Sequence, residues 1–186
     1  MRKTICLNGW PKAGKSAVAE ILERRFGAKI VDDGQILRDA APILFRGIDR
    51  NDPYTQEGKA KLITINGQTY TVRQALGYLG DCLEQFFGND YIPDQTMRLI
   101  NDLPAAPYYV LPSVRKGQGF FYKHHGATVW EIHRNEAPPS DNPFDRWSTR
   151  AVDRVLENNG SLAELEELVC WVMFKQFGEG ANCQLS

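Results

Sequence analysis

The strongest chemical signal in this chain is the pair Lys15-Ser16, because Gly9 and Gly14 stand ahead of it in the run Gly9-Trp10-Pro11-Lys12-Ala13-Gly14-Lys15-Ser16. This is a complete G-x-x-x-x-G-K-[ST] spacing, the pattern of a loop that cradles phosphate. Small residues let the backbone N–H groups of Lys12 to Ser16 turn inward around phosphate oxygens, and a helix that starts here presents its positive dipole end to the same anion. Lys15 is then placed to reach the β- and γ-phosphates of ATP, and Ser16 to put its hydroxyl on the Mg²⁺ that bridges them. The ATP-binding set read from the motif is Gly9, Lys12, Ala13, Gly14, Lys15, Ser16 and Ala17, with Ser16 as the metal-side residue. Trp10 reads as a packing residue.

Such a loop works only between a strand and a helix. Thr4-Ile5-Cys6-Leu7 is a short apolar strand pattern, and Val18, Ile21, Leu22 and Phe26 recur at helical spacing before Gly27 stops them. A second strand is expected over Ala28 to Val31, running into Asp32-Asp33-Gly34 and a short helix from Gln35 that Pro42 ends. In open parallel sheets ligands gather outside the carboxyl ends of strands. That rule places Asp32, Asp33 and Arg38 near the phosphates, with Arg38 as a clamp; helix capping explains the two aspartates about equally well.

Further along, Leu62 to Ile65, Asn66-Gly67 and Gln68 to Thr71 spell a tight hairpin projecting as an insertion. Thr71 and Gln74 have capping-box spacing ahead of a helix whose apolar face is Val72, Leu76, Leu79, Leu83 and Phe86. Arg73 and Gln74 could line a nucleotide pocket there, although capping and solvation account for them nearly as well. A helix is expected over Gln95 to Leu103, capped by Asp94, and a strand over Tyr108 to Leu111 that leaves Arg115 just past its end. A helix over Gly119 to His125 and a strand over Thr128 to His133 follow, then Arg134. The Pro-rich stretch from Asn135 to Phe144, with Arg146 and Arg150 beyond it, reads as a lid carrying cations. A closing helix begins after the Asn158-Asn159-Gly160 turn, with Ser161 and Glu164 at capping-box spacing.

Composition and absences narrow the function. The 186 residues carry 22 basic and 23 acidic side chains, a net charge of −1, which gives no global attraction to nucleic acid or to an anionic membrane. The four cysteines are too scattered for a zinc or thiol-redox motif and read as reduced, mostly buried residues, and the three histidines show no metal-ligand spacing. The apolar stretch after Thr4 is too short for a signal core, so a cytoplasmic protein is expected. No Asp has Gly three residues later and Asn-Lys-x-Asp does not occur, so neither guanine-nucleotide switch element is present. Tyr108 to Leu111 runs into Pro112 and Ser113 rather than into the acidic Mg²⁺ partner of a hydrolytic ATPase. Scattered arginines and a lid favour a small kinase.

In order along the chain, the phosphate loop, Arg73-Gln74-Ala75-Leu76 with Leu79-Gly80, Val114-Arg115, Gly126-Ala127-Thr128-Val129, Ile132-His133-Arg134, and Asn158-Asn159-Gly160-Ser161-Leu162 with Glu164-Leu165 make a pattern. It resembles the deoxynucleoside monophosphate kinases of tailed phages, within the nucleoside monophosphate kinase superfamily. The resemblance implies a three-layer α/β/α P-loop kinase fold with a parallel central sheet, in one domain over 1–186. An acceptor-binding insertion would span about 33–103 and a lid about 134–150. It implies ATP-dependent phosphorylation of a deoxynucleoside monophosphate to the diphosphate, with ATP and Mg²⁺ as cofactors and the host cytoplasm as location. Lys15 and Ser16 would hold Mg-ATP, Arg115 and Arg134 would neutralise the transferring phosphoryl group, and Arg38, Arg73 and Gln74 would serve the acceptor. Two positions depart from the family: Ser113 stands where Asp commonly precedes Val-Arg, moving metal handling to Asp32, Asp33 or water, and Gly80-Asp81 replaces Gly-Thr.

A phosphate acceptor is already ionised at pH 7 and needs no general base, whereas a hydroxyl acceptor needs one. The alternative reading is therefore a kinase acting on a hydroxyl, in a small metabolite or a hydroxymethylated base of phage DNA, with Asp33 or Asp32 as base. A non-catalytic nucleotide-binding protein is the third. The expected partners are nucleotide substrates, with no membrane, no nucleic acid unless modified DNA is the acceptor, and a homodimer left open.

Overall fold

The computed structural model describes residues 2–141 and 143–178. Its central strand, β1 (Thr4–Asn8), is buried along its whole length and pairs with a neighbour on each edge. On one side lies β5 (Tyr109–Leu111), with Ile5 opposite Val110, and beyond it β2 (Lys29–Ile30). On the other side lie β6 (Thr128–His133), with Cys6 opposite Val129, and then β7 (Arg154–Glu157). The order β2-β5-β1-β6-β7 is parallel throughout. A parallel sheet needs both faces covered, which is why its inner strands read as continuous apolar runs.

Alternation along the strands assigns those faces. Ile5, Leu7, Tyr108, Val110, Trp130, Ile132 and Leu156 meet Val18, Ile21 and Leu22 of α1 (Lys15–Phe26) and Leu165, Val169, Val172 and Met173 of α7 (Leu162–Phe177) in one core. The opposite face receives α6 (Gln118–His124), whose Gly119 comes so near Val129 and Ala151 that an added Cβ would sit 2.9 Å from the Ala151 Cβ. Helix, sheet and helix thus form the expected α/β/α layering. Among the described residues no helix is long and apolar enough to cross a membrane.

The chain divides into two compact units, one made of residues up to Asp32 together with those from Ile100 onward, the other of Asp33–Leu99. The second unit lies within the segment expected to be the insertion. It holds α2 (Gln35–Leu44), α3 (Gln56–Ala60), the hairpin β3 (Leu62–Ile65) and β4 (Gln68–Thr71), α4 (Val72–Phe87) and most of α5 (Tyr91–Asp102). Ala41, Ile48, Ile63, Val72 and Ala75 form its core. The hairpin turns on Asn66 and Gly67, both at positive φ, the conformation that matches the strand twist.

Three elements differ from expectation. Helix α2 runs through Pro42 to Leu44, because a proline this near the carboxyl end forfeits a single helical bond while Ala41 beside it is fully buried. Helix α5 begins four residues early, at Tyr91. Pro93 fits its first turn, where an N–H would be unpaired anyway, and Asp94 forms an ion pair with Arg98 at 2.9 Å instead of capping. Strand β7 has no apolar run to announce it, since as an edge strand it buries only Leu156. Cys6 and Cys82 are free thiols, but Cys170 is disulfide-bonded, against the expectation of four reduced cysteines, and Cys183 lies outside the described residues.

Helices α1 and α7 are also tied by charge. Glu166 accepts from Arg24 at 2.8 Å and from Arg25, and the Arg24 hydrogen bond, followed by that of Arg25, holds its carboxyl below the usual glutamate value. A depressed carboxylate stabilises the fold above its unfolded pKa of about 4.3 and loses that contribution as pH falls through the folded value. Glu166→Gln is therefore expected to lower the melting temperature at pH 7, with the difference from the wild type shrinking as the pH falls below about 4.3. Parallel thermal melts across that range check it.

Candidate phosphate-binding site

At the carboxyl end of β1 the backbone enters the loop through Gly9, at φ +139°, where a Cβ would lie 2.4 Å from the carbonyl oxygen of Ile132 in β6. Only glycine fits that approach. Lys12 (φ +69°) and Gly14 (φ +107°) are likewise in the positive-φ region, and a left-handed Gly14 followed by helical Lys15 is the pairing that turns successive N–H groups toward one anion-binding concavity. The Ala13 N–H closes the turn onto the Trp10 carbonyl at 3.1 Å.

Gly14 is the N-cap of α1. It offers no capping side chain, and the first turn of α1 contains no acidic residue. The leading N–H groups of this 12-residue helix therefore receive no capping bond from their N-cap, at the end where the dipole is positive. Lys15 Nζ is folded over the loop, donating to the carbonyls of Gly9 (2.6 Å) and Trp10 (2.9 Å), with Ser16 exposed beside it and Ala17 half-buried. These donors fit a polyphosphate, and the exposed Ser16 hydroxyl fits a cation bound to it. Among the described residues no three acidic, Cys or His side chains converge to hold a metal by themselves. A Mg²⁺ ion would be held through the nucleotide and Ser16.

The cations expected around the loop follow strand ends of the same unit. Arg115, past β5, donates to the carbonyl of Phe144 (3.2 Å) and to Ser113 Oγ (3.4 Å), and its guanidinium lies 3.7 Å from Asp145. Arg134, immediately after β6, donates to Glu136 at 2.7 Å. Arg146 and Arg150 are exposed. The segment that carries them is pinned by backbone bonds from Lys116 N–H to the Arg146 carbonyl (2.6 Å) and from Ser148 N–H to the Lys116 carbonyl (2.9 Å). Between those bonds Trp147 packs edge-on against Trp10 of the loop, with ring centres 4.7 Å apart, and donates its indole N–H to Glu131 at 3.2 Å. Trp10 is thus a packing residue, as read.

Asp32 follows β2 and is half-buried. The remaining predicted residues belong to the second unit. Asp33 is buried, and its carbonyl accepts from Thr96; the N-cap of α2 is Gly34, so neither aspartate occupies the capping position. Arg38 lies on α2 and Arg73 on α4, where Arg73 donates to Gln56 at 2.8 Å. The Gln74 side chain accepts from Thr71 N–H at 2.8 Å and closes the capping box of α4.

The sequence presents Asn158 only within a turn and within the resemblance pattern, with no role of its own. Its amide donates to the Ala13 carbonyl at 2.8 Å, a contact across 145 positions that no local pattern could announce. Trp147 and Asp145 were likewise hidden inside a segment read only for its arginines.

A glycine-rich loop between a parallel strand and a helix with an open amino end defines this unit as a P-loop α/β fold. No family model matches the chain, and no curated protein matches it. Among solved structures, TT1252 from Thermus thermophilus is similar at 19% identity over 95% of this chain and 99% of that one, with a TM-score of 0.53. Dephospho-CoA kinase from Campylobacter jejuni aligns at 15% identity over 94% and 97% (TM-score 0.46). Shikimate kinase from Aquifex aeolicus aligns at 12% over 95% and 99% (TM-score 0.46). At 19% identity the likeness to TT1252 is one of fold.

Gly9→Ala tests the loop geometry. The added methyl meets the Ile132 carbonyl, so Mg-ATP binding, read by titration calorimetry, is expected to weaken by at least about tenfold, together with a loss of thermal stability. Wild-type affinity in that variant would contradict the geometry.

Proposed function

We propose that this protein is a P-loop phosphotransferase that moves the γ-phosphoryl group of ATP onto a nucleoside monophosphate, a deoxynucleotide in the reading that the sequence resemblance favours. The observation that carries the proposal is the uncapped, acid-free amino end of α1 with Lys15 folded over the loop in front of it. That is a site built for a polyphosphate, in a unit that also carries Arg115 and Arg134 just past strand ends.

In this reading the loop N–H groups fix the α- and β-phosphates, and Lys15 exchanges its two loop carbonyls for the β- and γ-phosphate oxygens. Magnesium bound through Ser16 would supply further neutralisation of the phosphate charge. An oxygen of the acceptor phosphate attacks the γ-phosphorus, the bond from that phosphorus to the β,γ-bridging oxygen breaks, and ADP leaves with the electron pair. Because the attacking oxygen is already ionised, the protein has only to position and neutralise. Arg115 and Arg134 serve the transferring group. By the sequence resemblance, Arg38 and Arg73 would serve the acceptor. Arg146 and Arg150 complete the clamp from the lid segment.

One observation keeps a second acceptor class in view. Asp33 is a buried carboxylate outside the capping position, and a carboxylate is what a hydroxyl acceptor would require as base. Asp33→Asn separates the two: it is expected to change turnover only mildly with a monophosphate acceptor and severely with a hydroxyl.

The deciding experiment offers Mg-ATP with a panel of ribo- and deoxynucleoside monophosphates and resolves the products. Diphosphate formation from one or more deoxynucleotides is expected, and Lys15→Ala is expected to lower that rate by roughly a hundredfold or more. Unchanged monophosphates in the presence of bound ATP would overturn the acceptor assignment. A near-normal rate in Lys15→Ala would overturn the loop assignment.

A further inference from the structure

The phosphate loop is held from behind by a side chain far away in sequence. Asn158, the first residue after β7, is 6% exposed, and its own backbone N–H is fixed to the carbonyl of His133 at the end of β6 (2.7 Å). From that anchored position its Nδ2 donates to the Ala13 carbonyl at 2.8 Å. The same nitrogen lies 2.2 Å from where a Cβ on Gly14 would be, so the amide occupies the space left by the missing side chain. The neighbouring Asn159 does a different job: its Oδ1 accepts from the Asn135 N–H at 2.8 Å, just after Arg134.

In a trans peptide the carbonyl and the following N–H point in opposite directions. Fixing the Ala13 carbonyl toward Asn158 therefore fixes the Gly14 N–H away from it. Gly14 has φ +107° and little steric preference of its own, so nothing within the residue prevents that peptide from flipping. A flip would present a carbonyl oxygen to the anion in place of a donor.

We propose that Asn158 is a positioning residue of the phosphate site, orienting the Ala13–Gly14 peptide so that the Gly14 N–H is presented to the nucleotide's phosphates. The proposal rests on reading Gly9 to Ser16 as a phosphate loop and adds to it a residue that touches no phosphate. It explains why a buried amide, and not an apolar side chain of similar size, stands at the start of the turn after β7. Only a donor can hold a carbonyl.

The test measures binding of inorganic tripolyphosphate with Mg²⁺, by calorimetry, to the wild type, Asn158→Ala and the isosteric Asn158→Asp, with folding of each followed by circular dichroism. Asn158→Ala is expected to bind about tenfold more weakly than the wild type near pH 7.5. Asn158→Asp is expected to be at least as weak there, since an ionised carboxylate opposes the Ala13 carbonyl. A buried carboxyl titrates above its usual range, and once protonated it regains a donor. By about pH 4.5 Asn158→Asp should therefore bind more tightly than Asn158→Ala, which lacks both charge and donor. A residue that merely filled space would show no such reversal. Wild-type affinity in Asn158→Ala, or an Asp variant that stays weaker than the Ala variant at low pH, overturns the proposal while leaving the phosphate loop standing. Absence of tripolyphosphate binding to the wild type itself overturns the phosphate-loop reading, and this proposal with it.

Discussion

Several backbone N–H groups left without partners at the start of a helix make a ready place for a polyphosphate, and such a group costs stability unless an anion or water meets it. The start of α1 leaves such groups without a capping side chain. Its N-cap is a glycine, its first turn has no acid, and its leading lysine is folded over the loop. The rest of the first unit supports this arrangement. The central strand must be buried between β5 and β6 to aim the loop, Gly9 must pass against the Ile132 carbonyl, and α1 must bury Val18, Ile21 and Leu22 so that its amino end cannot drift.

The cations show the same economy. Arg115 is held by Ser113, by the Phe144 carbonyl and near Asp145, so a guanidinium at a strand end is oriented by the segment that also carries Arg146 and Arg150. Trp147 joins that segment to Trp10 and to Glu131. The loop, the strand ends and the arginine-bearing segment of this unit thus share contacts. Ser113 accepts a hydrogen bond from Arg115, so its hydroxyl helps orient that cation.

What could be read from the sequence was what is decided locally. The glycine-rich loop between β1 and α1, the Asn66-Gly67 turn and both capping boxes follow from residues within a few positions of one another, and each stands where the spacing put it. Strand β7 escaped because an edge strand needs only one buried residue, Leu156, to be worth forming. Helix α2 outran Pro42 through the burial of Ala41, a tertiary term that outweighs local propensity. In the candidate site, the placing of Lys15 and Ser16 at the start of α1 was legible because the loop ahead of them lies in one octapeptide. Asn158 was not, because its meaning lies in a contact with Ala13 made only after the sheet has assembled. Gln74 shows the converse: its spacing announced both a cap and a pocket residue, and the side chain makes the cap.

The central claim is that phosphates dock on the amino end of α1. A crystal structure with Mg²⁺ and a non-hydrolysable ATP analogue tests it most directly. The account predicts the triphosphate seated on the N–H groups of Lys12 to Ser16, with Lys15 Nζ moved from the carbonyls of Gly9 and Trp10 to the β- and γ-phosphate oxygens. A triphosphate bound elsewhere on the protein, or one at the loop with Lys15 still on those two carbonyls, would contradict it.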